Sequence, residues 1–224
     1  MSSFVLKIIA IITMFCDHLS YALWGEFSNL NYIGRIAFPI FAFQLTEGFI
    51  HTRSKKNYLY RLFVFAIASQ IPFMLFCRLF NTTVVLNIFF TLFVGLIALI
   101  GYENCKNKYV GILLVACLSC TADFLKMDYG AFGILMIFIF YIFKDKKVLM
   151  NISYLALILL KYMPACIFYN FYYAYLLLIV SYFVPLIIIN LYNGKKGPDA
   201  KYFMYLFYPI HLIILYTFNI LFIH

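Results

Sequence analysis

Lys7-Ile8-Ile9-Ala10-Ile11-Ile12-Thr13-Met14-Phe15-Cys16-Asp17-His18 is an apolar run broken by three ionisable residues. Read as a helix, it puts Lys7 and His18 eleven positions apart, about 20° from exact alignment on one face and roughly 16 Å apart along the axis. A lysine near one end and an Asp-His pair three turns deeper make a poor anchor. They make a better channel, because ionisable groups inside a bilayer are costly and mark functional sites. The run contains Asp17 and His18, and no small-x-small cleavage site follows it, so it does not read as a removable leader. It is therefore expected to stay as the first transmembrane helix.

The rest of the chain has the same character. Of 224 residues, 66% are hydrophobic and only 11% are charged, and the mean hydropathy is +0.97. A soluble domain of this length does not bury that much apolar surface, so the fold class is all-α, a polytopic helical bundle in the lipid bilayer. Nine spans can be drawn, near residues 4–24, 33–50, 59–79, 84–101, 109–125, 129–143, 147–163, 170–192 and 202–223. Those at 129–143 and 147–163 are short enough to be tilted or partly re-entrant. The aromatic stretch Lys161–Tyr173 suits an interface. One domain, 1–224, accounts for the whole.

A formal charge of +9 would suggest nucleic acid in a soluble protein. Here no soluble basic face exists to carry it, so nucleic-acid binding is set aside. The charge lies in alternate loops instead. Eleven basic residues, from Arg53, Lys55 and Lys56 to Lys195, Lys196 and Lys201, fall after even-numbered spans, and only Arg78, Lys126 and Lys161 fall in the opposite loops. The positive-inside rule then places the N-terminus in the cytoplasm and the C-terminus outside. This is the expected topology of a multi-pass protein of a bacterial plasma membrane. Asn81-Thr82-Thr83 is a glycosylation-like triplet in an outer loop, with little weight.

With no soluble domain, chemistry must use residues within the helices. Counting from the cytoplasmic ends puts His18, Gln70 and His211 within about 3 Å of one depth. Arg35 begins the second span just above that level, and Asn87, Asp123 and Asp128 lie near outer helix ends. Together with Tyr208 they outline a polar pocket open to the outside. A second cluster, with Lys7, Glu47, His51, Arg53, Tyr58 and Arg61, lies at the cytoplasmic side and suits an anionic ligand. Phosphates held there leave an extended, pantetheine-sized arm to reach His18.

Several of these residues have structural readings as well. Arg35 can pair with Asp17 or Asp123, or position a substrate. Arg61 can flank a loop or pair with Glu47. Asp128, before Tyr129-Gly130, suits an N-cap. Cys117-Leu118-Ser119-Cys120 lies in an apolar span without a second pair, which makes it packing material. No metal-ligand spacing exists, so no metal is expected. A neutral imidazole at mid-membrane suits general-base work, with Asp17 tuning it. The donor would be a thioester from the cytoplasmic side. The transfer to an acceptor amine or hydroxyl would be direct or through an acyl-histidine.

These residues also carry a resemblance. The first-helix run and Gly34-Arg35-Ile36-Ala37-Phe38-Pro39-Ile40-Phe41-Ala42-Phe43 resemble the TraX family of conjugal-transfer membrane proteins. So do Tyr58-Leu59-Tyr60-Arg61-Leu62, Ser69-Gln70-Ile71-Pro72-Phe73 and Asp128-Tyr129-Gly130-Ala131-Phe132-Gly133. Leu191-Tyr192-Asn193-Gly194-Lys195-Lys196-Gly197 and Tyr205-Leu206-Phe207-Tyr208-Pro209-Ile210-His211-Leu212 complete the pattern. The family's founding member acetylates the N-terminus of a conjugative pilin. The family is similar to the wider membrane acyltransferase-3 group, in which a basic residue, ten intervening residues and a histidine serve acyl-CoA binding and transfer.

The resemblance implies an acyl-CoA-dependent acyltransferase, acetyl-CoA being the expected donor. His18 and Asp17 would be catalytic, Lys7, Arg53 and Arg61 would bind the donor, and Arg35, Gln70, Asn87, Asp123, Tyr208 and His211 would line the substrate pocket. The partner would be an extracytoplasmic acceptor bearing a peptide amine or glycan hydroxyl. Two other classes stay open: a small transporter or flippase, whose polar residues line a path, and a non-catalytic assembly factor of a secretion or conjugation system.

Overall fold

In a bilayer the backbone must satisfy its own hydrogen bonds, and helices do so segment by segment. The computed structural model describes residues 1–80, 82–168, 172–198 and 201–223. Among them are ten helices: α1 Ser3–Trp24, α2 Asn29–Gly34, α3 Ala37–His51, α4 Lys55–Cys77, α5 Ile88–Asn104, α6 Lys108–Phe124, α7 Gly130–Ile142, α8 Lys147–Phe168, α9 Tyr172–Asn190 and α10 Lys201–Phe222. Among these residues there is no strand, only an isolated bridge between Leu86 and Met127.

The protein is an all-α membrane bundle. Six segments are long and apolar enough to cross a bilayer: α1, α2 with α3, α4, α8, α9 and α10. Each of the nine sequence segments is a helix, but α5, α6 and α7, at 17, 17 and 13 residues, are shorter than the roughly 20 residues a perpendicular crossing takes. The second segment is broken at Arg35–Ile36 into α2 and α3. The segment drawn at 147–163 runs on to Phe168 as one 22-residue helix, long enough to cross a bilayer. Lys161 consequently sits inside α8 rather than in a loop, with its ammonium 4.1 Å above the Phe132 ring. Asn81 and residues 169–171 of the aromatic stretch lie outside the described residues.

Local chemistry sets the helix ends. Ser2, Ser54, Asn87 and Asn107 accept backbone N–H bonds at helix starts, relieving donors that a helix leaves orphaned. Gly25 ends α1 at φ +67, where a Cβ is disfavoured. α3 packs on α1, α5, α7 and α9, and α1 packs in turn on α10, which packs on α4. Thr46 of α3 donates to the carbonyl of Ile137 in α7 at 3.3 Å, and Tyr154 of α8 donates to the Tyr182 carbonyl at 2.7 Å. Such interhelical bonds join helices that gain little from lipid exclusion. The outer surface is apolar: Ile71 is 70% exposed and Leu160 76%, as expected where the solvent is hydrocarbon.

The basic loops gather at one end. There Lys55 pairs with Glu103 and stacks over Phe49, and Phe49 meets Tyr141. The N-terminus is stitched into the same end. Backbone N–H groups of Ser3 and Phe4 bond to the carbonyls of Lys195 and Lys196 at 2.8 and 3.1 Å, and Asn193 N–H bonds Met1 O at 3.0 Å. Gly197, at φ +71, lies so close to Phe4 and Ser2 that a Cβ would press on both. The Leu191–Gly197 motif is thus the clasp that holds the start of α1.

Candidate functional site

Two cavities lie between α1, α3, α4, α5 and α10. The larger, about 570 Å³, opens at the basic end and has Lys7, Glu47, His51, Tyr58, Arg61 and Lys196 among its lining residues. The smaller, about 170 Å³, has Asp17, His18, Arg35, Cys77, Asp128 and Tyr129 in its wall. Met14, Phe41, Ile88 and Tyr208 line both. These four side chains are common to the cation-rich chamber and the histidine chamber. The Lys7–His18 face of α1 therefore runs from one to the other, as the eleven-residue spacing implies.

His18 has an unexpected partner. Its Nδ1 is 2.7 Å from Nε2 of His211, and Nδ1 of His211 is 2.8 Å from the Phe207 carbonyl oxygen. A carbonyl only accepts, so Nδ1 of His211 carries the proton and its Nε2 accepts. His18 must then donate through Nδ1, so the neutral ring carries its lone pair on Nε2. Phe76 stands edge-on to the His18 ring at 5.3 Å and Phe207 stacks on His211 at 4.7 Å, so both rings are held.

Asp17 does something else. Its Oδ1 accepts from Arg35 at 2.7 Å and from Asn31 Nδ2 at 3.0 Å. Asn31, fully buried, takes hydrogen bonds from Ser20 and from the Ser28 backbone at 2.7 Å each. Gly34 lets α2 cross here, because a Cβ on it would collide with the Asp17 side chain. Arg35 therefore pairs with Asp17 rather than Asp123, and the orienting partner of His18 is His211 rather than Asp17.

Of the other sequence candidates, Tyr208 sits at the junction, 3% exposed, its hydroxyl without a hydrogen-bond partner among the described residues. Arg61 lines the larger cavity, with its guanidinium 5.5 Å from the Tyr58 ring centre and its buried Nε unpartnered. It forms no ion pair with Glu47, whose contact is His51 at 3.9 Å. Arg53 is exposed and lines neither cavity. Gln70 and Asn87 bond each other at 2.8 Å, and Asn87 reaches the Ala66 carbonyl at 2.8 Å. They brace α4 against α5 and line neither cavity.

Asp123 and Asp128 exchange the roles read from sequence. Asp123 accepts from Ala131 N–H at 2.7 Å and caps α7, whereas Asp128 lines the histidine chamber. Depth counting alone could not separate them, because it carries no azimuth. Lys196, Tyr129 and Cys77 were not anticipated as lining residues. For the first two the signal lay in the Lys195-Lys196 and Asp128-Tyr129-Gly130 motifs.

Comparison with known proteins matches the description "TraX protein" over residues 2–219. The chain belongs to the TraX family. A relative described as "Probable fimbrial assembly protein FimC, serogroup H1", from Dichelobacter nodosus, is 30% identical over an alignment that covers 96% of this chain and 94% of that protein. No solved structure matches the chain. The matched range includes the residues that line both chambers and the His18–His211 pair.

Proposed function

We propose that this TraX-family protein is a membrane acyltransferase that moves an acyl group, acetyl in the simplest form, from acyl-CoA at the basic end to an acceptor amine or hydroxyl at the opposite end. In this reading the basic end faces the cytoplasm of a bacterial plasma membrane. The observation that carries it is the junction at Tyr208. On one side lie Lys7, Arg61 and Lys196, on the other His18, whose Nδ1 is the nitrogen that meets His211.

The larger cavity suits a phosphate-bearing donor. The guanidinium of Arg61 bonds Tyr205 and keeps a buried Nε without a partner among the described residues, and guanidinium forks match phosphate geometry. From phosphates held there, the thioester end follows α1 for roughly 16 Å to His18. The Tyr208 hydroxyl is free to donate to the thioester carbonyl oxygen as charge develops on it. His18 Nε2 takes the proton from the acceptor nucleophile as that atom bonds to the carbonyl carbon. The carbon–sulfur bond then breaks, and the thiolate receives the proton from His18. His211 holds the His18 tautomer and, through Phe207, shares the transient positive charge.

The test is transfer of labelled acetyl from acetyl-CoA to a peptide amine by the purified protein in lipid. The wild type transfers and His18→Ala does not. Unchanged transfer by His18→Ala would remove the assignment. The name of the Dichelobacter nodosus relative favours one second reading, a non-catalytic part in fimbrial assembly. Normal function in cells carrying Lys7→Ala with His18→Ala would support it.

A further inference from the structure

The histidine chamber holds one carboxyl that the acyl-transfer reading does not use. Asp17 is paired with Arg35, and His18 is bonded to His211. The remaining ionisable carboxyl in the wall, Asp128, forms no ion pair among the described residues. Its side chain is not needed to cap α7, because Asp123 does that. Its backbone is pinned independently: its N–H bonds the Leu86 carbonyl at 2.9 Å, and its carbonyl accepts from the Thr91 hydroxyl.

The backbone beside it is unusual. Tyr129 is held at φ +63 and Gly130 at φ +44. The Tyr129 ring is stacked on Phe38, centres 3.8 Å apart and planes 11° apart. A non-glycine residue in the left-handed region is kept only where its surroundings dictate it, and such strain clusters at functional sites. Here it presents Asp128 to the chamber from the α6–α7 side, facing the α1 residues that supply His18. Tyr21, Phe76, Phe80 and Tyr129 give the same wall aromatic surfaces. Asp128 shares the wall with the Asp17–Arg35 pair and lies in the field of both, and a carboxylate outside an ion pair among aromatic faces is an arrangement that binds ammonium groups, by charge and by cation–π attraction. At about 170 Å³ the chamber holds about five or six water-sized groups. That is room for a terminal ammonium and its first carbon beside an acetyl group.

We infer that Asp128 is the acceptor-binding carboxylate: it receives the acceptor as an ammonium and takes its first proton. The inference rests on the acyl-transfer reading. The proton count then closes. The ammonium gives one proton to Asp128 and becomes a free amine. The amine nitrogen attacks the thioester carbonyl and gives its second proton to His18. The carbon–sulfur bond breaks, the thiolate takes the His18 proton, and the proton on Asp128 leaves to water at the open end. Asp128 thereby favours amines over hydroxyls, which bring no positive charge to pair with it.

The test uses the full chain in lipid nanodiscs with two probes: a hydrophobic pentapeptide amide with a free amino terminus, and the same peptide with a hydroxyl in place of that amine. Binding of each probe and acetyl transfer to each are measured for wild type, Asp128→Asn and Asp128→Glu. Asp128→Asn is expected to weaken amine-probe binding and raise its KM on the order of tenfold to a hundredfold. The hydroxyl probe and acetyl-CoA affinity stay unchanged, and Asp128→Glu recovers part of the loss. Equal behaviour of both probes in Asp128→Asn, or loss of acetyl-CoA binding along with them, overturns the inference. If the wild type transfers to neither probe, the acyl-transfer reading fails. Amine-probe binding still decides Asp128: selective loss in Asp128→Asn supports the site, and no binding or no loss overturns it.

Discussion

Nδ1 of His18 lies 2.7 Å from Nε2 of His211, and the second ring is itself anchored to the Phe207 carbonyl. Two residues 193 positions apart in the chain thus form one relay, in which a neutral His18 offers Nε2 as a base. His18→Ala is expected to lower acetyl transfer by about a hundredfold to ten-thousandfold, the usual worth of a general base. His211→Ala lowers it in the same direction by less, with acetyl-CoA affinity kept. His211→Gln, whose side-chain carbonyl can accept from His18 Nδ1, recovers part. Steady-state transfer together with acetyl-CoA binding checks all three.

Arg61 presents a buried, unpartnered Nε to the larger cavity. Removing it as Arg61→Ala should raise the KM for acetyl-CoA by about tenfold to a hundredfold, the range for a charge-assisted bond. The loss should be far smaller for dephospho analogues that lack the contact. Arg61→Lys should not restore the wild-type value, because a point charge does not reproduce the fork. Titration of acetyl-CoA at constant acceptor measures each.

Tyr208 carries a buried hydroxyl without a partner at the junction of the chambers. Tyr208→Phe should lower kcat by about a hundredfold or more if the hydroxyl donates to the developing oxyanion. Thermal stability should hold or rise, because an unsatisfied buried hydroxyl is removed. Loss of activity together with loss of stability would instead mark a packing role.

Gly34 stands where α2 crosses α1, with no space for a Cβ beside Asp17. Gly34→Ala should destabilise the bundle by about 1–3 kcal/mol, as overpacking does, and loosen the Asp17–Arg35 pair. Thermal unfolding in detergent reads the first effect. Gly25→Ala is the informative control: it perturbs a helix end at φ +67 without touching Asp17.

Much of the architecture was legible because it is local. The apolar runs marked nine helical segments, since a bilayer leaves the backbone little choice but helix. The eleven-residue spacing put Lys7 and His18 on one face, and the chambers lie at its two ends. The break at Arg35–Ile36 and the extension of α8 past Lys161 were less visible, because hydropathy averages over such details.

The candidate site was half legible. Residue type and depth named His18, Arg35, Tyr208 and His211, but they also named Gln70, Asn87 and Asp123, which serve helix ends and braces. Depth along a helix follows from counting residues, whereas the direction a side chain faces depends on which neighbour packs there. By itself the sequence determined a helical membrane protein with ionisable groups in its first helix and a family pattern along its length. Only the tertiary structure decided that His18 meets His211, that Asp17 belongs to Arg35, and that Asp128 rather than Asp123 faces the chamber. Those pairings span from 18 to 193 residues of chain, and only the packing of α1 against α2, α3 and α10 brings them within bonding distance.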